Sequence, residues 1–290
     1  MDRRRFLVSA GMAAASPIFP ALAQTPAASP PAATPDITII SALPPLPADL
    51  ADKASQPPAG FGELTPVGTA PPTSAEIDKA YDILMNSPIG GAPIDVAQYF
   101  LAVGAGAYGE DLRPFAREWP VRANPMIMHF FTSTQTKPEG DVTAWCAAFM
   151  NWCLLRARAK RVDQIGSGAA GYIKKGKPFT PESLKRYSTN SASSGSFRCW
   201  KPISSPKRGD VVVLRNAGTD NLTKACQGTG HVTFFVKVPS PGLVQVIGGN
   251  QSQSGSNGAI TVANMSTQPG SRFMKYVSSM KDELPKAPKA

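Results

Sequence analysis

The sequence predicts a mixed α+β domain over about residues 74–282, with helices first and an antiparallel sheet after them. Three observations carry this. From Ser74, apolar Ile77, Ala80, Tyr81 and Leu84 fall at the i, i+3, i+4, i+7 spacing of one helix face. Residues 141–157 hold the clearest helical pattern in the chain. Beyond residue 208 the period changes. Short branched or aromatic runs at 211–214, 232–238, 243–248, 259–262 and 273–277 alternate with Gly, Pro, Asn and Ser, as strands joined by turns do.

The chain opens with Arg3, Arg4, Arg5, Phe6 and Leu7, continues through apolar small residues to Leu22, and offers Ala21-Leu22-Ala23 for cleavage. A positive head, a short apolar middle and a small-x-small end read as an export signal over residues 1–23. The arginine pair resembles the bacterial twin-arginine signal, although Asp2 stands where Ser or Thr is usual. A periplasmic or secreted bacterial protein is expected. Residues 24–72 hold 12 prolines and 10 alanines, so a Pro/Ala-rich, disordered tether is expected over 24–73. Ser74 is the expected cap of the first helix. A second apolar stretch, 94–103, precedes Gly104-Ala105-Gly106 and completes a helical lead-in over 74–115. Thr143 is the expected N-cap of the 141–157 helix, and residues 283–290 are an expected flexible tail.

Composition narrows the classes. With 42% apolar and 17% charged residues the chain can build a core, which excludes wholesale disorder. No apolar run approaches the roughly 18 residues of a membrane span, so stable membrane insertion is not expected. Four cysteines in 290 residues are too few for a disulfide scaffold. The formal charge of +10 becomes +8 once residues 1–23, with Asp2 and three arginines, are removed. Such a charge suits an anionic partner. For an exported protein that partner is expected to be a wall polymer and not nucleic acid.

Cys146 lies in the first turn of the predicted helix, where unpaired N–H groups and the positive helix end favour a thiolate. Cys153, seven residues on, is too far along the axis for a disulfide with it, and packing is its expected role. His231 opens a strand that turns through Pro239-Ser240-Pro241-Gly242 into Leu243 and the run to Asn250. Pairing Val238 with Leu243 puts Asn250 opposite His231 on one sheet face and Gln251 on the other. A bulge at Gly248-Gly249 would exchange them. An imidazole held by an amide is what a thiol nucleophile needs: the ring takes the thiol proton and the amide fixes its tautomer. His129, among Met126, Ile127, Met128, Phe130 and Phe131, reads as a packed residue.

Asn124-Pro125, Trp145-Cys146-Ala147-Ala148-Phe149, Gly209-Asp210-Val211-Val212, Gly230-His231-Val232 and Gly248-Gly249-Asn250-Gln251 together resemble the landmarks of bacterial cell-wall cysteine peptidases and amidases of the CHAP and NlpC type. The resemblance covers about residues 92–275. It implies a papain-like fold, N-terminal helices packed on a C-terminal antiparallel sheet, with Cys146 as nucleophile, His231 as base and Asn250 as orienting residue. It implies hydrolysis of peptidoglycan amide bonds by a stem-peptide endopeptidase or an N-acetylmuramoyl-L-alanine amidase. No cofactor or metal is implied, and a monomer is expected. Gly248 departs from the pattern, since many CHAP enzymes carry a glutamate there. The oxyanion is expected at the Cys146 N–H plus one upstream group, Asp141 or Thr143. Trp145 and Trp200 fit a substrate groove or the core equally. With Cys146 required free, Cys199 and Cys226 are the expected disulfide; their spacing with His231 matches no zinc pattern. Two rival readings share these features: a non-catalytic wall-binding protein on the same fold, and an exported antibacterial toxin with the same triad. The triad serves acyl transfer to an amine as well as to water.

Overall fold

A computed structural model describes residues 37–55, 68–168, 176–216, 226, 228–251 and 258–279. The expected export signal, part of the expected tether and the 283–290 tail lie outside these residues.

The branched runs of the C-terminal half do form strands. β1 (Ile37–Ile39), β2 (Pro202–Ile203), β3 (Val211–Arg215), β4 (Gly230–Ser240), β5 (Leu243–Gln251), β6 (Ala259–Ser266) and β7 (Phe273–Val277) make one sheet among the described residues. Its order is β1-β6-β5-β4-β3-β7-β2, and every pairing is antiparallel. Period-two alternation sorts the side chains. Val211, Val213, Val232, Phe234 and Ile247 face the helices, while Val212, Leu214, Phe235, Val246 and Met265 form a second apolar layer behind the sheet. β3 is buried on both faces, which is why it reads as an unbroken apolar run.

The helices are α1 (Ser74–Asn86), α2 (Pro93–Ala105), α3 (Pro125–Phe130), α4 (Cys146–Arg156) and α5 (Pro181–Tyr187). Their ends follow local chemistry. Thr73, not Ser74, caps α1, in a reciprocal box with Glu76. Pro93 starts α2, and Gly106, at φ 90°, ends it in the left-handed conformation. Asn124 caps α3 by accepting from the Met126 N–H. The expected helix 141–157 begins later than its apolar pattern, at Cys146. Thr143 is not its cap, because its hydroxyl oxygen accepts the Glu139 N–H and so closes the preceding turn. α4 is buried along its whole length and meets α2 and α3 through Phe100, Phe130, Phe149 and Trp152, with Phe100 centred 5.3 Å from Phe130 and 5.5 Å from Trp152. Each such ring contributes about 1.5–3 kcal/mol by burial, and edge-to-face pairs add about 0.5–1.5 kcal/mol.

The mixed α+β class, helices against an antiparallel sheet, is as the sequence predicts. The structureless tether is corrected over its middle. Ile37, Thr38 and Ile39 pair with Met265, Asn264 and Ala263, and Leu50 is buried. The Pro/Ala-rich composition concealed a three-residue branched run that adds one edge strand. Cys199 and Cys226 form the expected disulfide, with Cα atoms 4.8 Å apart, and Cys146 and Cys153 are free and buried. Trp145 and Trp200 are both buried, which assigns them to the core. No helix among the described residues is long and apolar enough to cross a membrane.

Candidate active site

α4 presents Cys146 as its first residue, against the start of β4. The backbone of Val232 hydrogen-bonds the thiol, so Cys146 abuts the residue that follows His231. The two side chains are not hydrogen-bonded to each other; such catalytic contacts are often long in a free enzyme and tighten with substrate. Burial governs both groups. It pushes the Cys146 thiol up to about 11, against the opposing pull of the Val232 and helix-end amides. Burial, with the nearby Arg272 charge, pushes the His231 imidazole down to about 3. Both shifts favour a neutral thiol and a neutral imidazole, with desolvation working against the thiolate expected from the helix end.

The hairpin register is as expected near the site, though by a different route. Phe234 lies opposite Ile247 and Phe235 opposite Val246, but the strands run on to pair Ser240 with Leu243, and two irregularities in between restore the register. Past Gly248 the pairing breaks. Gly248 pairs with Thr261 and Gln251 with Ala259, so β5 carries one extra residue there. Asn250 occupies that bulge at φ 57°, a conformation that Asn tolerates better than most residues.

Its side chain consequently turns away from His231. With the amide oriented to suit its neighbours, Asn250 donates to Glu118 Oε1 at 3.0 Å and accepts the Trp145 N–H at 3.2 Å. This corrects the expected His231–Asn250 contact: the bulge, not the hairpin turn, sets the side-chain direction. Asn250 instead holds the backbone just ahead of Cys146. Glu118 was not singled out in the sequence, where nothing marks a lone carboxylate in an irregular segment. It gathers the Trp145 Nε1–H at 2.7 Å and the Gly258 N–H at 2.8 Å besides Asn250. Gly249 lets β5 pass this close, since a Cβ there would lie 2.3 Å from the Trp145 ring.

Neither upstream oxyanion candidate points at Cys146. Asp141 Oδ2 accepts the Trp119 N–H at 3.0 Å and the Asn124 N–H at 2.8 Å, and Thr143 is bonded to Glu139. Asp141 is fully buried, and desolvation raises its carboxyl to about 8. Burial thus favours the protonated carboxyl below that pH. A raised folded value means stability present below the unfolded value and lost as pH rises through about 8. Asp141→Asn keeps an acceptor for both N–H groups, so its melting temperature should gain on wild type between pH 5 and pH 8.5. Asp141→Ala strands two buried donors and should cost about 2–4 kcal/mol. His129 is buried and bonded through Nε2 to the Ile165 carbonyl at 2.8 Å, away from Cys146. No group of three His, Cys, Asp or Glu that could hold a metal occurs among the described residues.

A helix-heading cysteine, a strand-opening histidine one residue from its contact, and an asparagine at the end of the next strand lie in that chain order. Residues 137–250 match the family model of the CHAP domain. The match runs from just before the Asp141 turn to Asn250. No curated protein and no solved structure matches the chain. CHAP domains are typically hydrolytic enzymes of the cell wall. The 37–55 segment, α1 to α3, β6 and β7 lie outside the matched residues, and the segments between them supply Glu118, the Gly258 N–H and Arg272 to the site's surroundings.

Proposed function

We propose that this protein is a cysteine-dependent hydrolase of peptidoglycan amide bonds, cutting either the stem peptide or its link to muramic acid. The observation that carries the reading is Cys146 at the head of α4, seated on the backbone beside His231, within the CHAP domain. From a neutral pair, the imidazole takes the thiol proton as sulfur attacks the carbonyl carbon. The Cys146 N–H faces the developing oxyanion. The imidazolium then protonates the leaving amine, the C–N bond breaks, and water activated by the same ring hydrolyses the thioester.

The arginine-rich leader and the net positive charge support action outside the cytoplasm on an anionic wall polymer. Digestion of purified sacculi by the protein without residues 1–23, with fragments identified by mass, tests the function. New stem-peptide amines identify an endopeptidase, and free lactyl carboxylates an amidase. Binding to sacculi with no fragment released overturns the hydrolase in favour of a wall-binding protein.

A further inference from the structure

Where β4 begins and β5 ends, three buried polar atoms have no hydrogen-bond partner among the described residues: His231 Nε2, Thr233 Oγ1 and Gln251 Nε2. Strand geometry puts all three on one face. His231 pairs with Leu214 and Thr233 with Val212, both in the rear apolar layer. Gly248 borders Thr233, because a Cβ on it would lie 2.7 Å from Thr233 Cγ2. Gln251 returns to the same face as Gly248, since their partners Ala259 and Thr261 are two residues apart on β6. The bulge has thus moved Gln251 into the place that regular pairing would give Asn250. The same absent side chain makes room for it: a Cβ on Gly248 would stand 3.0 Å from Gln251 Nε2.

We propose that Gln251 is the positioning residue for His231, with its amide turned so that Oε1 accepts the His231 Nε2–H. This rests on the reading of Cys146 and His231 as nucleophile and base. The turn loses nothing at the other end of the amide. Thr261 Oγ1 lies 2.6 Å from the near atom of the Gln251 amide, Oε1, and a hydroxyl can donate to an oxygen or accept from an NH₂. Which amide atom faces which neighbour is set by such networks. Unturned, the buried NH₂ and the buried imidazole nitrogen both stand unbonded among the described residues; turned, Gln251 Nε2 donates to Thr261 and Oε1 meets the imidazole side. A proton fixed on Nε2 leaves the Nδ1 lone pair to receive the thiol proton. Thr233, two residues along the face, lines the same polar patch, and Arg272 is the charged group that acts on both Cys146 and His231. Asn250 is committed to Glu118 and Trp145 and has no part in this.

The test reads the imidazole directly, so that it stands even where sacculi are not cut. Long-range ¹H–¹⁵N spectra of the labelled protein should show His231 as the Nε2–H tautomer. Gln251→Leu should populate the Nδ1–H form and lower kcat on sacculi about 10–100-fold with KM unchanged. Gln251→Glu, nearly isosteric, should restore the Nε2–H tautomer and raise the pH at which His231 titrates by about 1–3. An Nε2–H tautomer unchanged in Gln251→Leu, or a His231 titration unmoved in Gln251→Glu, overturns the proposal. If Gln251→Leu fails to fold, the Gln251→Glu titration decides alone. Sacculi left intact by the wild type, with these shifts present, would overturn the hydrolase reading and leave the positioning contact standing.

Discussion

Cys146→Ala is expected to lower fragment release from sacculi by about 10⁴-fold or more, to the level of background. No other group at the head of α4 can form the thioester, so the loss is one of chemistry and not of binding. The fold should survive, because Ala fills most of the same buried space and the missing sulfur costs about 1 kcal/mol. Cys153→Ala is the matched comparison. Its thiol is buried in the same helix, and burial pushes it well above the usual thiol range. It should lose the same modest stability and keep full turnover. His231→Ala should fall with Cys146→Ala, since nothing else beside the thiol can carry its proton. Equal digestion by wild type and Cys146→Ala would remove the nucleophile from the reading altogether.

Arg156→Met is expected to be the most destabilising single change, at about 3–5 kcal/mol in chemical denaturation. Arg156 is wholly buried at the end of α4 and spends its donors on one hydroxyl and several backbone carbonyls. Its Nε binds Ser87 Oγ at 2.9 Å, Nη1 the Val162 carbonyl at 2.7 Å, and Nη2 the Met85 and Ser87 carbonyls at 2.9 and 2.8 Å. These acceptors end α1 and shape the turn after α4, places where helix carbonyls lack partners of their own. Methionine replaces the length and none of the five N–H groups, so several buried acceptors are left empty at once. Activity per folded molecule should be retained, because Arg156 sits at the opposite end of α4 from Cys146. A loss under 1 kcal/mol would mean that water replaces the guanidinium.

Much of this architecture is legible in the chain because its signals are local. The runs that became β3 to β7 are branched or aromatic and bounded by turn residues, and α2 carries its own Pro start and Gly stop. What escaped was nonlocal. β1 is three residues inside a proline-rich stretch and acquires meaning only beside β6. β2 is two residues, too short for any periodicity. Cys146 and His231 are readable as chemical types at fitting positions. The residue that faces the imidazole was not, because one inserted residue among Gly248, Gly249 and Asn250 reverses the side-chain parity. Sequence can say that two glycines permit a bulge; only packing against Trp145 and Thr261 says where it falls. Glu118 lies 27 residues before the indole it holds, with no pattern to join them.

The two outermost strands are the shortest in the sheet, three residues at β1 and two at β2. Short outer strands leave little unpaired backbone to recruit a second molecule, a protection against edge-to-edge association. The segment ahead of α1 is therefore a guard rail for the edge of the sheet. A protein cut back to Ser74, where the sequence alone would place the domain boundary, would lose β1 and lay bare β6. The β6 backbone at Ala263, Asn264 and Met265, which β1 covers, would then face solvent. The compact unit begins near Pro35, well before α4 and the residues that announce it.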